Sequence, residues 1–467
     1  MNYLLEYYNN IQDGSIIVGV ELKKQLDQLI LDLKNPRYYF DEKPGNLRIE
    51  FIETFCKHTK SPFNGMPFKL ELWEKAIIQT AYGFKMSDTM LRRFNEVILL
   101  IARKNGKTTF IAGIDLAEFF LSQGGVDIVC ASNTSEQANI LFEEINNMRE
   151  QSKTLSNEKR SKKNIFFIYS PKTKNKIKKL SAQSRNKDGY NIEVGCIDEM
   201  TDSKVYDAIK QSQSTKKEPL IFIITTEGTT VGGFLDNKLD YARRMLKGEI
   251  RDERVLPWLY TQDSMKEIYD DPSTWQKSNP SLGTVKLKSY LEDIMNKSKN
   301  DLSTRVTMLC KDFNIKQVDS GAWLSFDDLN NETKYDLEFL KDSYAIGGVD
   351  LSSTTDLTCS VLVIQKPSDN KKYIIPHFFM PCEVLKRRME EDNVPYDIWI
   401  KKGFITLTEG SQNDFSLVTQ WFLKMIRTYG IRPLWIGYDP WNSQYWVKEM
   451  EDAGFNMEKI RQGIYTL

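Results

Sequence analysis

The chain has 467 residues, of which 40% are apolar and 27% charged, a balance able to bury two or three domain cores. Its 64 basic side chains are matched by 64 acidic ones, so net charge is zero and any surface for a polyanion must be local. Six cysteines are scattered without a C-x-x-C pair, and His58 and His377 are the only histidines. That argues against a zinc cluster and suits free thiols in a reducing compartment.

The N-terminal MNYLLEYYNNIQDG lacks a basic stretch followed by a long apolar core, and no apolar run approaches the roughly 20 residues that span a bilayer. Neither secretion nor a membrane is expected. Residues 1–45 read as a helical lead-in ending in the turn-rich DEKPGN. Residues 46–230 read as an α/β domain. Its strand candidates are VILLIA (97–102), VDIVCAS (126–132), IEVGCID (192–198) and PLIFIITT (219–226). Helical patterns such as TTFIAGIDLAEFFLSQ and SEQANILFEEINNMRE lie between some of them, which predicts a mostly parallel sheet covered on both faces.

Residues 231–340, with helix-like stretches and a turn at SNPSLG, read as a connector. Residues 341–467 read as a second α/β unit. It starts with three strands (YAIGGVDLSS, TCSVLVIQKP, KYIIPHFFMP). A charged helix (EVLKRRMEED), a strand (FITLTEG), a helix (LVTQWFLKMIRTYG) and a strand (PLWIGYDP) follow. Three meandering strands and then alternating helices and strands is the order of a ribonuclease-H-like domain.

The stretch LLIARKNGKT (99–108) ends like a phosphate-binding loop, but Ile101 occupies the place of the first glycine in G-x-x-x-x-G-K-[ST]. It follows an apolar strand and opens a helical pattern. That setting aims backbone N–H groups and the positive end of a helix dipole at a phosphate. Lys107 would reach the β- and γ-phosphates of ATP and Thr108 would hold Mg²⁺. Some ninety residues on, EVGCIDEM ends a strand in Asp198-Glu199. Asp198 suits a direct or second-sphere partner of the magnesium, and Glu199 a base that orients the attacking water. An isolated Asp-Glu pair reads equally as a solvated strand end; the combination with the loop points to an ATPase.

With these motifs in place the chain resembles the large terminase subunit of tailed phages, the motor-nuclease that packages DNA into capsids. That family's loop commonly reads Arg-x-x-Gly-Lys-[Ser/Thr], the form taken here by Arg103, Asn105, Gly106, Lys107 and Thr108. PFKLELWEKAIIQTAYG (67–83) resembles the adenine-side motif, where an aromatic is usually followed by Gln. Here Trp73 is followed by Glu74, which accepts from the adenine amino group but cannot donate to N7. IITTEG resembles the motif coupling hydrolysis to movement, making Thr225 and Thr226 candidates, and ARRMLKGEIRDERVLPWLYTQD and WQKSNPSLG match the family's connector. A motor of this kind needs a cation for transition-state charge. Arg103, Arg149 and Arg185 are the candidates.

The resemblance implies a P-loop NTPase domain followed by a ribonuclease-H-like nuclease domain. Asp350 and Asp439 end apolar strands of the second unit, and in such folds these strands lie side by side. Their carboxylates would hold Mg²⁺ or Mn²⁺ for phosphodiester hydrolysis. Asp356 reads as a turn residue, and Glu409 is a further local carboxylate. The family's nuclease carries another acid in a C-terminal segment, and this sequence ends at KIRQGIYTL, about where that segment begins. Weak or absent cleavage is therefore expected beside intact ATPase chemistry.

Residues 151–180 hold ten Lys or Arg and one Glu, suited to a DNA backbone or to a solvated hairpin. The implied function is ATP-driven translocation of double-stranded viral DNA into procapsids. Implied partners are a small terminase subunit, the capsid portal and further copies in a ring, in the cytoplasm of an infected bacterium. A helicase or repair-type ATPase fused to a nuclease is the alternative, and a non-catalytic assembly protein a third class.

Overall fold

The structure, a computed structural model, describes residues 1–181, 191–199, 203–228, 233–299, 301–317, 335–353, 356–367, 370–392, 394, 396–440 and 443–460. It divides into two compact units, Met1–Asn330 and Asn331–Leu467.

The first unit contains a short antiparallel ribbon, β1 (Tyr38–Phe40) with β2 (Phe84–Met86). Its main sheet is built from β3 (Glu96–Leu100), β4 (Asp127–Ser132), β5 (Lys162–Lys163), β6 (Phe167–Tyr169), β7 (Lys176–Ser181), β8 (Ile192–Asp198), β9 (Leu220–Thr225) and β10 (Val255–Leu259). The order across it is β10-β3-β9-β8-β4-β7-β6-β5. Strands β10 to β7 pair parallel, whereas β6 and β5 add an antiparallel edge.

The central strands are apolar on both sides because both sides are covered. Val97 and Leu99 of β3 join one core with Phe110 and Ile114 of helix Lys107–Leu121, while Ile98 and Leu100 join another with Val205, Ile209 and Leu239. Those last three lie on helices Ser203–Ser212 and Phe234–Leu246. All four strand runs expected in this unit form strands of the sheet. The stretch read as a connector supplies the sheet's edge strand β10 and a small helical cluster built around Trp275, Leu291, Met308 and Phe313.

The second unit is a six-stranded sheet of β11 (Tyr344–Asp350), β12 (Thr358–Gln365), β13 (Lys372–Pro381), β14 (Ile405–Thr408), β15 (Arg432–Tyr438) and β16 (Met457–Lys459). Its order is β14-β13-β12-β11-β15-β16. The first three strands are antiparallel neighbours, and β15 returns parallel beside β11. Helices Ser416–Tyr429 and Gln444–Asp452 cover one face, through Phe422, Met425, Trp446 and Met450 packed on Val349, Leu362 and Ile436.

Candidate active sites

Ile101 is fully buried and simply extends the line of β3, so the loop does not turn where a first glycine would stand. It turns later, at Lys104 (φ +65°) and Gly106 (φ +81°). Both adopt the left-handed conformation, which costs glycine nothing and a lysine less than a β-branched residue would pay. Asn105 holds this turn from inside. Its buried amide donates to the carbonyls of Ala102 (3.1 Å) and Arg103 (3.2 Å) and to Asn279 Oδ1 (3.0 Å), and its Oδ1 accepts the Ser281 N–H (3.1 Å).

Helix Lys107–Leu121 starts directly at the loop. The Lys107 ammonium lies 3.3 Å from the Ile101 carbonyl and 3.6 Å from Glu199 Oε1. Burial pulls Lys107 down to about 8, against the attraction of Glu199 and Asp198. It therefore still carries its charge at neutral pH. Thr108 and Asp198 line one narrow crevice with Ile111, Leu141 and Ile224. Burial pushes the Asp198 carboxyl up to about 6, opposed by Lys107.

Glu199 follows β8 with φ +47°, a backbone conformation that non-glycine residues rarely hold outside sites that demand it. Its N–H is fixed on the Ile224 carbonyl (3.0 Å), and Asn133 Nδ2 donates to its carbonyl (2.9 Å). Burial alone would raise this carboxyl. Lys107, Lys311 and the Thr226 hydroxyl, 3.1 Å from Oε1, together hold it below the usual carboxylate range.

Thr225 and Thr226 end β9 at the same edge. The Thr225 carbonyl accepts the Ile101 N–H (3.1 Å), and its hydroxyl donates to the Thr226 carbonyl (2.8 Å). Arg103 is exposed, and its charge bears on Lys107, Lys311 and Glu199. The Arg149 guanidinium is instead engaged by Asn146, Ser161 and Glu150. Arg185 lies outside the described residues.

Trp73 is buried, and its indole N–H donates to Ser281 Oγ (3.1 Å), one residue pair removed from Asn105. The Glu74 carboxylate accepts the Glu71 N–H (2.8 Å) and closes the start of its own helix; burial raises its pKa well above the ordinary value. Glu71, rather than Glu74, lines a cavity of about 150 Å³ together with Trp73, Tyr260, Gln276 and Pro280.

Lys311 was not singled out by any motif. It comes from helix Leu302–Phe313, and its ammonium donates to Thr226 Oγ1 (3.2 Å) and the Glu227 carbonyl (2.8 Å). The Lys311 carbonyl accepts the Arg103 N–H (2.9 Å). Glu227, almost fully buried, is held by Arg243 (3.0 Å) and Lys316 (3.7 Å), and its N–H by Asn314 (3.1 Å).

In the second unit Asp350 closes β11, and the parallel register pairs Val349 with Tyr438. Asp350 and Asp439 therefore follow at adjacent strand ends, one inter-strand spacing of about 4.8 Å apart along the backbone. Glu409 ends β14 at the same edge but three strands away, roughly 14 Å by the same spacing. Asp356 is exposed and its N–H is held by Ser352 Oγ (3.0 Å), as a turn residue's would be. Among the described residues no group of three or more His, Cys, Asp or Glu side chains is placed to hold a metal, so the two aspartates stand as a pair.

The first fold and site define a P-loop ATPase; the second is a ribonuclease-H-like nuclease. Comparison with known sequences agrees. The model for "Terminase large subunit, ATPase domain" matches residues 72–244, and that for "Terminase large subunit, endonuclease domain" matches 249–467. The large terminase subunit of Enterobacteria phage HK97 is 25% identical over 430 residues, covering 90% of this chain and 81% of the phage protein. Protein YmfN of Escherichia coli K12 is 21% identical over 249 residues, 50% of this chain and 54% of its own length. The crystal structure of the HK97 large terminase is similar in fold, with TM-score 0.51 and 24% identity over 90% of this chain and 86% of that one. The chain belongs to the terminase large subunit family. It is a DNA-packaging ATPase with an endonuclease domain.

Proposed function

We propose that ATP binds across the loop 103–108, with Lys107 on the β- and γ-phosphates and the N–H groups of the loop and helix start around them. The observation that carries this is the 3.6 Å approach of Lys107 to Glu199, with Thr108 and Asp198 lining one crevice beside it. A hydroxyl and a carboxylate, both hard oxygen donors, suit Mg²⁺ there, and a carboxyl that burial pushes up to about 6 gains from a cation. Magnesium so held would neutralise phosphate charge.

Glu199, kept ionised by its cationic neighbours, orients and activates the attacking water. Arg103 supplies positive charge as the γ-phosphate departs. Thr225 and Thr226 report the change, because one ties to the loop through Ile101 and the other to Glu199. The adenine lies on the Trp73 side, with Glu74 keeping that helix start in place.

In the nuclease unit Asp350 and Asp439 hold Mg²⁺ or Mn²⁺. Two neighbouring carboxylates on parallel strand ends fit such cations, which would activate water and stabilise the phosphodiester's departing oxygen. Double-stranded DNA is the substrate of both units. A small terminase subunit, a capsid portal and further copies in a ring complete the machine in the host cytoplasm.

Glu199→Gln tests the ATPase assignment. ATP hydrolysis should fall by roughly 10²- to 10⁴-fold while a fluorescent ATP analogue still binds. Hydrolysis at the wild-type rate would remove Glu199 from the mechanism.

A further inference from the structure

The basic segment continues the main sheet at its edge. It forms the antiparallel edge β5–β6, whose turn is Asn164–Phe167. The turn is closed by the Asn164 N–H on the Phe167 carbonyl (3.0 Å). The Asn164 side chain locks it further, accepting the N–H groups of Phe166 and Phe167 (2.8 Å each). This rigid turn presents Ile165 and Phe166 to solvent, 83% and 72% exposed. Two large apolar side chains held out by a dedicated set of hydrogen bonds are not a failure of burial, since a floppy turn would let them fold back.

Cations surround the tip. Lys162 and Lys163 flank it, tied to Glu158 (3.5 Å) and Glu143 (2.8 Å). About one short strand's length behind it, roughly 10 Å, lie Lys159, Arg160, Lys172 and Lys174. All four are exposed, and none has an ion pair among the described residues.

A protein partner would want the reverse arrangement. Interface cores are depleted in lysine and need a contiguous apolar patch, whereas here two apolar residues stand alone in a lysine collar. A duplex satisfies both parts: phosphates take the cations, and a groove takes an apolar wedge against sugars and base edges. We propose that the β5–β6 hairpin is a duplex-DNA contact of the motor, with Ile165 and Phe166 entering a groove and the cations behind them meeting the phosphates, an inference that rests on the reading of this chain as acting on double-stranded DNA. The contact carries no base-specific donor at its tip, so it grips without reading sequence.

The test uses the full chain and a fluorescently labelled random-sequence duplex, with affinity measured across salt concentrations. The double variant Ile165→Ser/Phe166→Ser should weaken binding by roughly fivefold or more, at an unchanged salt slope. The triple variant Lys159→Gln/Lys172→Gln/Lys174→Gln should flatten the slope of log affinity against log salt by about 2.7, or 0.9 for each phosphate released. Both should leave ATP turnover without DNA at the wild-type level, since none of these residues lies at the ATPase site. Wild-type duplex affinity in the double variant overturns the proposal. So does a change confined to self-association in sedimentation, which would assign the prong to a contact between copies. A wild-type chain that fails to bind duplex at all refutes the DNA reading beneath it.

Discussion

At the ATPase site the reactive side chains are held by one another. Lys107 reaches Glu199, Glu199 accepts from Thr226, Thr226 accepts from Lys311, and the loop beneath is held by Asn105. At the proposed nuclease site Asp350 and Asp439 are placed by backbone register, at neighbouring ends of β11 and β15. The first centre is preorganised by protein hydrogen bonds before any substrate arrives. The second brings two aspartates to neighbouring strand ends, an arrangement suited to sharing a cation. One site is thus sensitive to any change in its network, and the other mainly to the loss of a ligand.

The largest effect that could break this contrast is at Lys107. Lys107→Ala should lower ATP hydrolysis by roughly 10³-fold and leave metal-dependent cleavage of plasmid DNA untouched. A parallel loss of cleavage would mean that the two centres do not act separately.

Next comes Asp350→Asn. Calorimetric titration with Mn²⁺ should lose its response at this site, and the weak cleavage expected of this chain should vanish, while ATP turnover stays normal. Retained Mn²⁺ binding would show that the carboxylate pair is not the metal centre.

A smaller effect sharpens the idea of a networked site. Lys311→Met should reduce kcat for ATP by roughly 10- to 100-fold with little change in KM, because Glu199 and Thr226 lose a common anchor rather than a phosphate contact. Lys311→Arg should recover part of it. An equal loss in kcat for both variants would point to a merely structural lysine.

Smallest in its effect on turnover is Asp115, on the buried face of the loop helix Lys107–Leu121, where the Cys196 and Cys130 thiols donate to it (3.0 and 3.6 Å). Burial pushes its carboxyl from 3.8 to about 7. Between those values the folded chain keeps a proton that the unfolded chain has released, so stability falls as pH rises through that window. Asp115→Asn should flatten the dependence of Tm on pH there and stabilise the protein at pH 8 by at most about 4 kcal/mol. An unchanged slope would locate the titration elsewhere.

Much of the ATPase centre could be read from residue order. Gly106-Lys107-Thr108 and Asp198-Glu199 are local motifs that abut apolar strands, and parallel strands deliver their carboxyl ends to one edge. Lys311 could not be read this way. It is the one lysine of helix Leu302–Phe313, far along the chain and outside any motif, and only packing brings it to Thr226. VLPWL, now β10, reads in sequence as connector because the stretch around it, ARRMLKGEIRDERVLPWLYTQD, resembles the family's connector, and its proline does not keep it out of the sheet. As an edge strand it tolerates one, since one side of its backbone needs no ladder partner. In the nuclease unit the strands were legible in chain order, and the adjacency of Asp350 and Asp439 was what the resemblance to a ribonuclease-H-like domain implied. The outward stance of Ile165 and Phe166 was not legible, because an apolar pair beside a strand reads as core until the turn geometry is known.

The placement of β10 restricts how the motor can move. Because Val255–Leu259 hydrogen-bonds along the whole of β3, the strand is part of the chassis and cannot swing. Further along the chain, helix Leu302–Phe313 brings Lys311 back to Thr226 and the Glu227 carbonyl beside that sheet. Just past Leu259 the Tyr260 N–H still bonds the Leu100 carbonyl (2.8 Å), and the Ser278 carbonyl accepts the Ala102 N–H (3.2 Å), so the chain leaving the strand stays fastened to the edge that carries the phosphate-binding loop.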